Sequence, residues 1–274
     1  MTMPHTQTTV LTGFSSMLAT LAPQGDHFTI SLPEDWLQGR TAYGGLTAAL
    51  CLQAALLAFP ELPPLRSAQV AFIGPATGEL KISPSMLRQG KSAAFVGVDL
   101  VGDVGLAVRA TLCFGAGREF PQQHVGHPMP ETPPRETCPN FFHWSDKPHF
   151  MAHFEGRLAG GSLPLSAGPR PEMLVWLRHR DAEVRGDVVS LLALADALPP
   201  IAYAVFDAAV PISTMTWAAD MLQPEINNPQ GWWLLRGETE TLSEGYSAQS
   251  AVIWHPDGYP VMAARQQVAL FAKR

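Results

Sequence analysis

Between residues 121 and 139 the chain carries six prolines: Pro121, Pro128, Pro130, Pro133, Pro134 and Pro139. Nothing else in the sequence restricts the fold as much. Proline has no N–H and a locked φ, so this stretch can build neither a helix interior nor a central strand. It is expected to run as an extended linker. It splits the 274 residues into about 120 before it and about 135 after it, each an ordinary domain size. The expected units are an N-terminal domain 1–120, a Pro-rich linker 121–145 and a C-terminal domain 146–274. Hydrophobic residues make up 46% of the chain, enough for a core in each.

The two pieces repeat one order of elements. In the first, a strand pattern from His27 to Leu32 leads into an apolar helix from Ala42 to Phe59. Strand-like runs follow over Arg66–Ile73, Gly78–Arg88, Ala93–Val101 and Leu106–Phe114, the last two separated by a Gly102-Asp103 turn. In the second, strands are expected over Phe150–Arg157 and Met173–His179, then a helix from Val188 to Phe206. Strands over Ser213–Met221, Trp232–Leu242, Ser247–His255 and Val261–Ala272 follow, with Pro256-Asp257-Gly258 turning the last hairpin. Gly90-Lys91-Ser92-Ala93 lines up with Gly245-Tyr246-Ser247-Ala248, each just before a penultimate strand, which argues for duplication. A helix apolar almost all round must be buried on most of its surface. One curved antiparallel sheet can wrap it. A doubly wound fold would need a helix after most strands, and residues 66–114 hold none. The expected class is α+β, with two long helices each wrapped by a curved antiparallel sheet.

Charge and cysteine usage exclude several functions. Eighteen Lys and Arg against 24 Asp and Glu give a net charge of -6 with no basic run, a poor basis for binding nucleic acid. Cys51, Cys113 and Cys138 are too few and too far apart for a disulfide framework, and fit a reducing cytoplasm. No Lys or Arg precedes Arg40, so the basic region of a signal peptide is missing. The longest apolar stretch, Ala42–Phe59, contains Gly44, Gly45 and Gln53 and ends at Pro60. It is expected to be a buried helix rather than a membrane span. Open sheet edges lead us to expect a homo-oligomer.

Four segments carry a family resemblance: Gly39-Arg40-Thr41-Ala42-Tyr43-Gly44-Gly45-Leu46, Leu194-Ala195-Asp196-Ala197-Leu198-Pro199, Ile212-Ser213-Thr214 and Arg265-Gln266-Gln267. In this order and spacing the chain resembles the acyl-CoA thioesterase II-like family of tandem (double) hotdog proteins. The resemblance implies hydrolysis of acyl-CoA thioesters within fatty acid metabolism, without a cofactor. It implies that Asp196, Thr214 and Gln266 hold the attacking water, and that Tyr43, Gly44 and Gly45 adjoin the substrate. The chain departs from the family in having Tyr43 where Phe is common, and Met215-Thr216 where Asp-His commonly follows the Thr. Gln267 adjoins Gln266; strand alternation lets only one of them face inward.

Read as residues, Asp196 lies in the apolar run Leu191–Leu198, where an unpaired carboxylate costs several kcal/mol to bury. It is either a surface acid or a general base tuned by burial. Thr214 and Gln266 gain weight only beside it. Gly44-Gly45 serves tight helix packing or close approach of substrate, with an N–H near Gly45 as oxyanion donor. Leu46, Leu50, Leu192, Leu198, Ile201 and Phe206 are expected to form an apolar tunnel. The first helix has glycines and no acid, the second an acid and no Gly-Gly, so one composite site is expected. No Gly-x-Ser-x-Gly elbow occurs. His149, His153 and Glu155 do not complete a metal site. Cys138 in the linker is expected to be a free surface thiol. The rival functions are a non-catalytic acyl-CoA-binding protein and a hotdog enoyl-CoA hydratase. The hydratase pattern resembles Asp-x4-His, and position 201 is Ile.

Overall fold

The computed structural model describes residues 11–271 except Ser145 and Arg185. The first ten residues of the N-terminal unit and the expected strand end at Ala272 lie outside the described residues. A short helix α1 (Phe14–Leu18) precedes strands β1 (Ala22–Gln24), β2 (His27–Ser31), β3 (Leu37–Gln38) and β4 (Thr41–Ala42). Helix α2 (Gly44–Ala58) follows, then β5 (Leu65–Phe72), β6 (Glu79–Gln89), β7 (Ala93–Gly102) and β8 (Gly105–Gly115). After the proline-rich segment come β9 (Phe154–Gly161), β10 (Glu172–His179), α3 (Val188–Ala195), β11 (Ile212–Met221), β12 (Trp233–Ser243), β13 (Tyr246–Trp254) and β14 (Pro260–Leu270).

Twelve strands form one antiparallel sheet in the order β1-β2-β6-β7-β8-β5-β11-β14-β13-β12-β10-β9. The two halves of the chain meet where β5 pairs with β11, from Thr216 opposite Ala71 to Asp220 opposite Ser67. Outward from this seam the strands come in matching order: β5, β8, β7, β6 and β2 on one side, β11, β14, β13, β12 and β10 on the other. Corresponding strands also carry a register shift, at Met86/Arg88 in β6 and at Thr239/Thr241 in β12. Each shift leaves one extra residue and a local bend.

Helix α2 is rich in Ala and Leu, strong helix formers, and only Gln53 interrupts its apolar surface after Thr47. Leu46, Leu50, Cys51 and Leu52 have no exposed surface. The helix packs on β6, β7 and β8 on one side and on α3 on the other. Pro60, which cannot extend a helix, follows its end at Phe59.

Helix α3 is much shorter than the expected Val188–Phe206. Asp187 caps its start, accepting from the Ser190 N–H at 2.8 Å. Its end follows from Pro199-Pro200: proline removes the N–H donors and restricts the residue before it. The chain resumes as a 3₁₀ turn over Ile201–Val205. Asp196 therefore stands at the helix's C-terminal boundary (φ −104°, ψ 12°) and not inside the helix. The other differences are small. Phe150–His153 is a 3₁₀ turn leading into β9, and α1 and β1 have no counterpart in the expected elements.

The proline-rich segment is largely exposed but is tied down at His127 and again towards its C-terminal end. His127 O accepts from the Trp254 indole at 2.8 Å, and Asn140 bridges to Arg157. Cys138 is buried with Trp176, Trp232, Leu234 and Trp254, with its sulfur 3.6 Å from Pro134 O. The expected surface thiol is thus covered, because the linker turns its apolar side onto the outer face of β10, β12 and β13.

Candidate active site

The C-terminal boundary of α3 abuts the N-terminal turn of α2. A Cβ on Gly45 would lie 2.5 Å from Ala193 O and 2.8 Å from Asp196 Cβ; one on Gly44 would lie 2.8 Å from Asp196 Oδ2 and 2.9 Å from Phe72. Glycine is required at both positions because another chain segment occupies the space a side chain would need. This close approach lets the Gly45 N–H donate to Asp196 Oδ2 at 2.7 Å. The first-turn N–H groups of a helix have no partner inside it and carry the positive end of its dipole, so they suit a carboxylate. The expected oxyanion donor at Gly45 is therefore already committed to Asp196.

Gln266 on β14 donates through Nε2 to the other oxygen, Asp196 Oδ1. Gln267, the next residue on the strand, faces the other way by alternation and borders a surface groove with Gln69, Arg109 and Thr111; of the two amides it is Gln266 that bonds Asp196. Burial pushes the Asp196 carboxyl up from 3.8 to about 6, against the lowering effect of the donors Gln266 and Gly45.

Two large cavities open at Asp196, beside a small crevice of about 30 Å³ that it shares with Gln249 and Gln266. One, of about 620 Å³, is lined by Trp144, Phe150, Met151, Leu165, Leu198 and Tyr203, and reaches Asp196, Thr214 and Gln266. The other, of about 450 Å³, is lined by Gln38, Thr41, Gly44, Phe72, Ser213 and Thr214, and also reaches Asp196. Thr214 lies on the walls of both, immediately before a register shift in β11 that leaves Met215 unpaired. Bulges of this kind re-aim side chains beside sites. Among the described residues no hydrogen bond joins Thr214 to Asp196.

Other expected site residues fall elsewhere. Tyr43 lines neither cavity. It is buried, stacked on Phe150 at 4.1 Å between centroids, and its hydroxyl donates to Ala193 O at 3.0 Å. Burial, then the nearby Asp196 charge, pushes its phenol well above the usual range. It supports the last turn of α3. Of the expected tunnel residues, only Leu198 lines the large cavity; Leu46, Leu50 and Leu192 are in the core. His153 stacks on Trp36 and bonds to Asp35 O, while Glu155 pairs with Arg157 and Arg178. Among the described residues no group of three His, Cys, Asp or Glu could hold a metal, and no helix is long and apolar enough to cross a membrane.

One site residue was not anticipated. Gln249 on β13, directly opposite Gln266 in the ladder, donates to Gln266 Oε1 at 2.6 Å and accepts from the Ile201 N–H at 3.0 Å. The signal in the sequence is a lone amide at a buried position of a strand that is otherwise Ser, Ala and Ile on that face.

A carboxylate with an amide beside it thus opens on cavities within an antiparallel sheet-and-helix scaffold. Residues 32–115 match the model of the acyl-CoA thioesterase N-terminal domain, and residues 121–270 match that of the C-terminal domain. The chain belongs to this acyl-CoA thioesterase family and is a thioester hydrolase. A hot dog fold protein of unknown function from Alicyclobacillus acidocaldarius is similar, at 26% identity and TM-score 0.83, covering 94% of this chain and 98% of that one. So are a tesB protein of Mycobacterium avium subspecies paratuberculosis (17%, TM-score 0.76, 94% and 99%) and an acyl-CoA thioesterase II from Mycobacterium marinum (16%, TM-score 0.74, 94% and 98%). These show the hotdog fold. No curated protein matches the sequence.

Proposed function

We propose that this chain hydrolyses acyl-CoA to free acid and CoA by direct attack of water, at one site between two duplicated hotdog units. The matching strand order about the β5–β11 seam and the paired register shifts of β6 and β12 support the duplication. The observation that carries the site is Asp196: a carboxylate shifted to about 6, held by Gly45 and Gln266, at the junction of two cavities. A base with a pKa near the working pH combines the ionised form with useful proton affinity.

In this scheme water attacks the thioester carbonyl carbon while Asp196 takes its proton. The tetrahedral intermediate collapses by breaking the C–S bond, and the proton passes to the departing CoA sulfur. Thr214 and the free N–H of Gln266 orient the water. Gly44 opens α2 and lines the second cavity; its N–H, left without a partner inside the helix, is the donor we assign to the carbonyl oxygen. The aromatic and aliphatic lining of the larger cavity suits the acyl chain, each buried methylene adding about 0.8 kcal/mol. A medium or long acyl chain is thus favoured over acetyl.

The test is thiol release from a panel of acyl-CoAs, run beside equilibrium binding. Asp196→Asn should keep binding and lose roughly 10²–10⁴ in turnover. The wild-type rate should fall below a pH near 6, where the base becomes protonated. Full activity in Asp196→Asn would overturn the assignment, and binding with no thiol release from any acyl-CoA would overturn hydrolysis by this chain.

A further inference from the structure

We infer that Gln249 is a positioning residue for hydrolysis, fixing through Gln266 which way an amide faces Asp196. The inference rests on the reading of Asp196 as the base. The relay begins at the Ile201 main-chain N–H, which can only donate. It donates to Gln249 Oε1 at 3.0 Å, so the Gln249 Nε2 must face the other way, and there it lies 2.6 Å from Gln266 Oε1. With its oxygen thus occupied, Gln266 can present only its NH₂ group to Asp196 Oδ1. Amide oxygen and nitrogen are told apart by such a network, and here a main-chain donor sets every step.

The placement of Ile201 follows from the sequence. Pro199 and Pro200 have no N–H, so Ile201 carries the first donor after Leu198 as the 3₁₀ turn begins. Gln249 satisfies that donor, and β13 and β14 hold Gln249 and Gln266 directly opposite each other. The break that ends α3 and the orientation of the site amide therefore share one side chain.

The direction matters chemically. With NH₂ inward, Gln266 gives one hydrogen to the carboxylate and keeps another for the oxygen of the attacking water. Reversed, it would set a carbonyl oxygen against a carboxylate and offer the water no donor. Gln249 is buried and lines neither of the two large cavities; it borders a small crevice of about 30 Å³ shared with Asp196 and Gln266, and its hydrogen bonds run to Ile201 and Gln266, so its link to Asp196 is through Gln266.

Two variants test this, with thermal melts to follow folding. Gln249→Met removes the relay at similar volume. It should lower kcat about tenfold, equivalent to roughly 1.4 kcal/mol, with KM unchanged. Because the Gln266 bond lowers the Asp196 pKa, the acidic limb of the pH–rate profile should move to higher pH, which a merely structural role would not do. Gln249→Glu, nearly isosteric and usable if the Met variant fails to fold, still accepts from Ile201 but cannot donate; it should lose as much or more. Wild-type kcat and an unmoved limb in either folded variant would overturn the relay. Asp196→Asn in the same assay separates the two ideas: if it is inactive while Gln249→Met is normal, the relay alone is wrong, whereas if Asp196→Asn is fully active the base itself is wrong.

Discussion

Burying the Asp196 carboxylate should cost folding stability, and that cost can be measured apart from catalysis. Its pKa lies at about 6 in the folded chain against 3.8 for an ordinary aspartate. At 1.36 kcal/mol per unit the difference is worth roughly 3 kcal/mol. The folded state takes up the proton as pH falls through about 6, and the unfolded state only near 3.8. Between those values the folded state holds more protons, so wild-type stability rises as pH falls across this window, and the cost is fully present above it. Asp196→Asn has no such titration. Its Asn oxygen can still accept from Gly45, but its nitrogen then faces the Gln266 NH₂, a loss that is independent of pH. The measurement is therefore the difference in Tm between Asp196→Asn and wild type across pH 4 to 8. Other titrating groups cancel in that difference. At about 2–4 °C per kcal/mol for a chain of this size, the difference should change by roughly 6–12 °C in favour of the variant as pH rises. A difference constant with pH would refute the buried, shifted carboxyl, whatever the variant's activity.

Gly45→Ala should destabilise by about 1–3 kcal/mol, because the new methyl meets Ala193 O at 2.5 Å and must push α3 away from α2. Thermal denaturation reads this, and a Tm equal to wild type would show that the two helices are not locked at this point. Leu198→Trp should fill part of the larger cavity and shift the ratio of kcat/KM values towards shorter acyl chains; an unchanged chain-length profile would remove that cavity from the acyl site.

The elements legible in the sequence were those whose pattern spans many residues. Helix α2 was readable from its unbroken apolar composition, and the long strands of both halves from runs bounded by Gly and Pro turns, most ends lying within a residue or two of the observed ones. The second helix was read too long because apolar periodicity continues through Leu198 and Ile201. Pro199-Pro200 carried the correct stop, and the error was to weigh hydrophobicity above a missing donor. The resemblance sets Tyr43 beside the substrate together with Gly44; the sequence did not reveal that its side chain is buried on Phe150 with its hydroxyl bonded to Ala193 O, because those partners lie far along the chain. The role of Gln249 was not legible from order along the chain, since it depends on cross-strand register, and the 17 residues separating it from Gln266 hide that they are direct neighbours. Cys138 looked exposed because its neighbours are prolines; the tryptophans that cover it lie in β10, in β13 and just before β12.

The unequal halves give a physical reason for the proposed single site per chain. The N-terminal half supplies what a carboxylate needs from a helix end: two glycines and a free N–H. It could not itself carry the acid. The buried positions of β8, namely Val108, Ala110, Leu112 and Phe114, offer no hydrogen-bond donor where β14 offers Gln266, so an acid beside them would be buried without an amide. The C-terminal half makes the opposite choice. It shortens its helix with two prolines, spending helix length to bring Asp196 to a boundary where it meets α2, and uses the N–H freed at Ile201 to orient the amide that faces it. Each half lacks what the other provides. On this reading, duplicating one unit yielded two helix ends facing one another, and divergence kept the donor at one and the acid at the other, since a buried carboxylate without donors is the costlier state.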